Sequence, residues 1–150
     1  MKETLQYLKE NFIQADEAAN HLTASIERCE IFVFNKDFTE DQLVELEALT
    51  SRFARMSDLL IQKVLKTIDR LDGTTPGTVR DRLLQAEKKG LINSADEFMQ
   101  IRDIRNRIAH EYEMDALKDI FVFAFKNFSL LTDALLSAKK YSQKFYTDLV

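Results

Sequence analysis

Arg105, Asn106, His110 and Tyr112 fall within eight residues, in the stretch RNRIAHEY. These residue types can do chemistry together. An arginine grips a phosphate through forked, charge-assisted hydrogen bonds. An imidazole gives and takes protons near neutral pH. An amide beside the arginine can orient the imidazole or the phosphate. The plainer meaning of the same residues is an arginine at a core edge, paired with an Asp or Glu. The histidine would then sit near a helix C-terminus, where the dipole favours a cation.

Placed on an ideal helix at about 100° per residue, Phe98, Ile101, Ile104, Ile108 and Tyr112 form one apolar arc. Tyr112 closes that arc, which makes it a core-edge residue with at most its hydroxyl in a cleft. Arg105 falls inside the arc, where a charge is costly unless it meets an anion or a paired acceptor. Arg102, Asn106 and His110 are each four apart and line a ladder beside it. Arg105 and His110 stand about 140° apart on a straight helix. Either the helix distorts before His110, or two copies of the chain build the site together.

The pattern Arg105-Asn106-x-x-x-His110-x-Tyr112 resembles the signature of the HEPN superfamily, and more narrowly the R-x-x-x-x-H-x-Y motif of HepT-like toxins. The specific residues span only eight positions. The resemblance implies a metal-independent endoribonuclease that works as a homodimer, without a cofactor, on RNA. In that reading His110 is the acid or base, Arg105 holds the phosphate, and Asn106 orients one or the other. Arg102 and Arg107 are weaker candidates for contacts with the RNA backbone. Tyr112 becomes the acceptor for adenylylation by a partner minimal nucleotidyltransferase of the MntA type. The added phosphate and base then block RNA by charge and by volume. A sister helical family of nucleotidyltransferase substrate-binding proteins is similar in fold, with an Asn-x-x-x-His-x-Tyr-like segment, and implies a non-catalytic subunit instead. A plain dimeric scaffold with a structural arginine is the third possibility.

The elements that must position these residues are long helices. The chain has three glycines and one proline, and Gly73, Pro76, Gly77 and Gly90 lie in one window. Everything outside it lacks breakers. Leu5, Leu8, Phe12, Ala15, Ala19, Leu22, Ile26, Cys29 and Val33 form one stripe at spacings of three and four, which predicts a first long helix. Cys29 lies in that stripe and reads as packing. His21 lies off it and reads as surface.

Thr39 and Gln42 resemble a capping box that opens a second helix over about 40–71, with its stripe on Leu46, Leu49, Phe53, Met56, Leu60, Val64, Ile68 and Leu71. The loop DGTTPGT has no phosphate-loop pattern and reads as a connection. Thr78 to Lys89 is a short third helix, stopped by Gly90. Ser94 and Glu97 make another capping box and open the fourth helix. A fifth covers about 116–146, with a break or kink expected near 111–115. Its run IFVFAF, residues 120–125, is apolar on every side of a helix. One face must meet the bundle, and the other calls for a partner chain. The fold class is therefore all-α: one domain over 1–150, an antiparallel bundle of four long helices plus one short helix.

Composition bounds the function. Hydrophobic content of 45% and charged content of 31% supply a real core. A net charge of −4 argues against a general nucleic-acid coat, although a local arginine cluster can focus its own field. The spacing of one Cys and two distant His fits no metal site. No unbroken apolar run of about 18 residues occurs, so no membrane span is expected. The charged start MKETLQYLKE and the single Cys29 point to the cytoplasm.

Overall fold

The computed structural model describes residues 1–147. Its regular structure is entirely helical, with no strand among the described residues. The elements are α1 (Lys2–Cys29), α2 (Glu40–Asp58), a π-helical segment (Leu59–Val64), α3 (Leu65–Leu71), α4 (Val79–Lys88), α5 (Ala95–Ile108) and α6 (Met114–Thr147). They pack as a helical bundle around one apolar core.

Local chemistry sets most boundaries. Thr39 Oγ1 accepts from Gln42 N–H at 3.2 Å, and Gln42 Oε1 accepts from Thr39 N–H at 3.0 Å. Thr78 and Asp81 make the same reciprocal pair at the start of α4. Ser94 caps α5 through Glu97 N–H at 3.2 Å, but Glu97 does not return the bond. Glu87 instead reaches over from α4 and accepts from Ala95 N–H at 3.2 Å, so the expected box is only half formed. At the end of α4, Gly90 adopts φ of 77°, a left-handed turn that glycine makes without a Cβ penalty. The turn lets Leu91 N–H close back on the Ala86 carbonyl.

The first stripe is buried as its spacing requires, apart from a half-buried Ala19. The helix itself ends four residues early. Residues 30–34 form hydrogen-bonded turns, with Val33 N–H on the Cys29 carbonyl at 2.8 Å. The tetrapeptide IFVF is thus neither strand nor helix. Val33 points in, while Ile31 and Phe34 point out. Cys29 Sγ donates to the Glu45 carbonyl. Burial, aided by Glu45, pushes its thiol up to about 11, so it stays neutral and packs as a small apolar group.

α1 runs antiparallel to the path from α2 to α3. Arg52 donates to Ser25 Oγ and the His21 carbonyl at one end of this seam, and Thr67 bonds Asn11 at the other. α6 also runs antiparallel to α1, with Lys139 paired to Asp16 and Lys9 over the Tyr146 ring. The second predicted helix is continuous from 40 to 71, but it is not uniform. Leu65 N–H bonds the Leu60 carbonyl, five residues back. That marks a π turn, a rare feature that is often found at functional sites.

The run IFVFAF is met largely from within the chain. Phe38 stacks edge-on to Phe121, Phe34 to Phe125 and Phe53 to Phe123. The 30–39 connection and α2 supply rings that a second chain had been expected to supply, so the run alone does not call for a partner. α6 is long and apolar enough to cross a membrane by length and composition, with an 18-residue window of mean hydropathy 1.4. The sequence expectation required an unbroken apolar run and so missed this candidate. Its inner face, from Ile120 and Phe121 to Leu135 and Ala138, belongs to the bundle core.

One polar cluster ties three helix ends together. Asp72 accepts from Tyr141 Oη at 2.6 Å and pairs with Lys89 at 3.0 Å and Lys144 at 3.1 Å, while Lys89 also holds Asp69 at 2.6 Å. Burial pushes the Asp72 carboxyl up. The Tyr141 hydroxyl and the two ammonium groups outweigh it and hold the group below the usual carboxylate range. A depressed folded value contributes stability above about pH 4, the unfolded carboxylate value, and that stability is lost as pH falls through the folded value. Asp72→Asn should cost about 1–3 kcal/mol at neutral pH and flatten the acid limb of a melting-temperature profile below about pH 4. An unchanged acid limb in the variant would remove this cluster as a source of acid sensitivity.

Candidate functional site

α5 carries Phe98, Ile101 and Ile104 inward, all buried. Arg105 follows Ile104 and leaves the helix at the edge of this face, half-buried. It meets an anion there. Arg105 Nε donates to Asp58 Oδ1 at 2.8 Å, and Nη2 donates to Asp58 Oδ2 at 2.9 Å. This is a two-point, side-on ion pair between α5 and the last residue of α2. The bond, and then the charge, of Asp58 hold the guanidinium more firmly protonated than usual.

The π turn begins at the next residue. Arg82 of α4 donates through Nη1 to the Ile61 carbonyl and to Gln62 Oε1, both at 3.1 Å. Ser57, Asp58, Ile61 and Gln62 form one wall of a cavity of about 360 Å³, and Arg102, Arg105 and Asn106 form the other. The side chains of Arg102 and Asn106 have no hydrogen-bonded or ion-paired partner among the described residues. The cavity therefore offers one paired guanidinium, one unpaired guanidinium and an amide. These are donors suited to a small oxyanion.

Of the sequence-predicted residues, the structure brings Arg102, Arg105 and Asn106 together. His110, Arg107 and Tyr112 do not line this cavity. α5 ends at Ile108, and the Arg107 carbonyl accepts from both His110 N–H and Glu111 N–H in the closing turn. The helix thus stops before His110, and the break covers 109–113 rather than 111–115. The ladder of Arg102, Asn106 and His110 loses its last rung for this reason. Tyr112 does not close the apolar arc either. It lies beyond the helix and is 89% exposed. The side chains of Arg107, His110 and Tyr112 are exposed and hold no partner among the described residues.

Asp58 and Gln62 were not predicted as site residues. An acidic partner for Arg105 was expected, but its identity lay 47 residues away along the chain. The local signal was the run Leu59, Leu60, Ile61, apolar on consecutive positions and followed by Val64 and Leu65. That breaks the regular stripe, and all five are buried. Among the described residues, no group of three or more His, Cys, Asp or Glu comes together as a metal cluster. No family model, curated protein or solved structure matches the chain. The fold and site define an all-helical bundle with an arginine-lined polar cavity.

The Arg105–Asp58 side chains are 35% and 44% exposed. Such a pair is screened by solvent and is worth about 0.5–1 kcal/mol. A double-mutant cycle of Arg105→Ala and Asp58→Ala, read by urea unfolding, should give a coupling in that range with every variant folded. A coupling above about 3 kcal/mol, as for a buried pair, would instead make the pair a requirement of the fold.

Proposed function

We propose that the chain is a HEPN-like bundle of four long helices and one short one, and that it acts as a metal-independent endoribonuclease of the HepT type. The observation that carries this reading is the convergence of Arg102, Arg105 and Asn106 on one cavity. In RNA cleavage the 2′-oxygen attacks phosphorus, the P–O5′ bond breaks, and negative charge builds on the phosphoryl oxygens. Arg105 and Arg102 stabilise that charge, and forked donors in a fixed place strengthen as it grows. Asn106 positions the phosphate. His110 takes the 2′-hydroxyl proton or returns one to the leaving 5′-oxygen. Within one chain His110 stands past the helix end and outside the arginine cavity. A homodimer whose two cavities face each other across one cleft brings both copies of His110 to that cleft and so supplies both proton-transfer groups.

Purified protein with a metal chelator present should cleave single-stranded RNA. Arg105→Ala and His110→Ala should each lower the rate by about 10²–10⁴-fold. An inactive wild type, or full activity in His110→Ala, sinks the nuclease reading.

Tyr112 is the proposed adenylylation site. Its exposed, unpartnered hydroxyl supports this, because a partner nucleotidyltransferase needs free access to the acceptor. Intact mass after co-expression with a minimal nucleotidyltransferase should show one or more AMP additions, absent in Tyr112→Phe. AMP found on any other residue contradicts the assignment.

A second reading, the non-catalytic subunit of a two-component nucleotidyltransferase, draws support from the Asp58 pair. Asp58 offsets the Arg105 charge and leaves Arg102 as the unpaired cation of the cavity. Tight nucleotide binding without RNA cleavage selects it.

A further inference from the structure

Arg105 has five N–H donors, and Asp58 occupies two of them. Five less two leaves three: both on Nη1 and one on Nη2. One of these on Nη1 and the one on Nη2 form the end-on edge of the fork, the edge that grips two oxygens of one phosphate. The guanidinium is planar, so a two-point bond along the Nε edge fixes the direction of the other edge. Asp58 and Arg105 both line the cavity that holds the unpartnered Arg102 and Asn106. The backbone that carries Asp58 adjoins a clamped turn. Asp58 is the last residue before the π turn, and Arg82 clamps that turn through the Ile61 carbonyl and the Gln62 side chain.

We infer that Asp58 is a positioning residue: it holds Arg105 side-on so that the end-on edge is presented to a single phosphate group in the cavity. That the phosphate belongs to an RNA strand rests on the nuclease reading above. Two effects of Asp58 oppose each other. Its charge weakens the attraction of Arg105 for an anion, and its bonds hold a long side chain in the binding geometry before the anion arrives. Both side chains are partly open to water, so screening reduces the charge effect, while the geometric demand of a forked bond is not screened. Counting formal charges, Arg102 and Arg105 less Asp58 leave +1 in the cavity. The cavity thus stays attractive to an anion with Asp58 in place, and on this proposal positioning outweighs repulsion.

The sign of one substitution decides between the two. Asp58→Asn keeps the shape and removes the charge, and Asp58→Ser is a second charge-removing change should the amide itself bond the guanidinium. Inorganic phosphate is titrated at constant ionic strength while the Arg105 Nε–H signal is followed by NMR, with melting temperature recorded for each variant. Wild type should show a saturable shift, and both variants should bind about tenfold or more weakly, as expected when a forked donor loses its fixed geometry. In RNA cleavage the variants should lose about 10–100-fold in kcat with a smaller change in KM, since the forked bonds count most in the transition state. Equal or tighter phosphate binding in the folded variants makes Asp58 a mere competitor and overturns the assignment. So does a wild-type Arg105 signal that ignores phosphate. Weakened phosphate binding in the variants of a protein that cleaves no RNA supports the positioning role while removing the nuclease reading.

Discussion

A guanidinium that leaves a helix from the edge of its buried face must meet an anion, and in this chain that requirement organises the site. Arg105 follows Ile104, the last buried residue of α5, and Asp58 answers it from α2 with two bonds. For Asp58 to stand there, α2 must end where the π turn begins. The turn is held by Arg82, whose charge burial opposes, so α4 is committed to the same place. α4 in turn is tied through Lys89 to Asp69 and Asp72, and through Asp72 to Tyr141 and Lys144 of α6. One partly exposed ion pair of small energetic worth thus stands at the end of a chain of contacts through every helix except α1. Its value lies in direction more than in stability.

The long sixth helix shows how a strong local signal is satisfied by non-local means. A run of six apolar residues calls for cover on more than one side of its helix. Phe34, Phe38 and Phe53 set their rings edge-on against it, an arrangement that aromatic quadrupoles favour. Two of these rings come from the 30–39 connection, which contains no regular helix. The early end of α1 at Cys29 frees that segment to wrap over α6, where Lys118 anchors it at the Lys36 carbonyl. The same early end explains why the stripe through Val33 outlasts the helix. Val33 stays buried from a turn.

Much of the fold was legible because its rules act over three or four residues. The stripe of α1, the capping pair at Thr39, and the stop at Gly90 depend on spacing, on orphan backbone groups and on a left-handed turn. The motif on α5 was legible in part. Arg102, Arg105 and Asn106 share the cavity because spacings of three and four survive folding. His110 and Tyr112 were placed on a helix that does not reach them. No glycine or proline marks the stop after Ile108, and the turn is closed instead by the Arg107 carbonyl.

The sequence by itself determined an all-helical chain, its main helix starts, the buried stripe that puts Cys29 inside, and an arginine in need of an acid. Tertiary structure alone decided that the acid is Asp58, that a π turn presents it, that Arg82 holds the turn, and that His110 and Tyr112 stand apart in the open. The reason is physical. Helix periodicity and capping are energies between near neighbours, whereas the partner of a charge is whatever the packing of distant segments brings within 3 Å, and no local pattern encodes a contact 47 residues away.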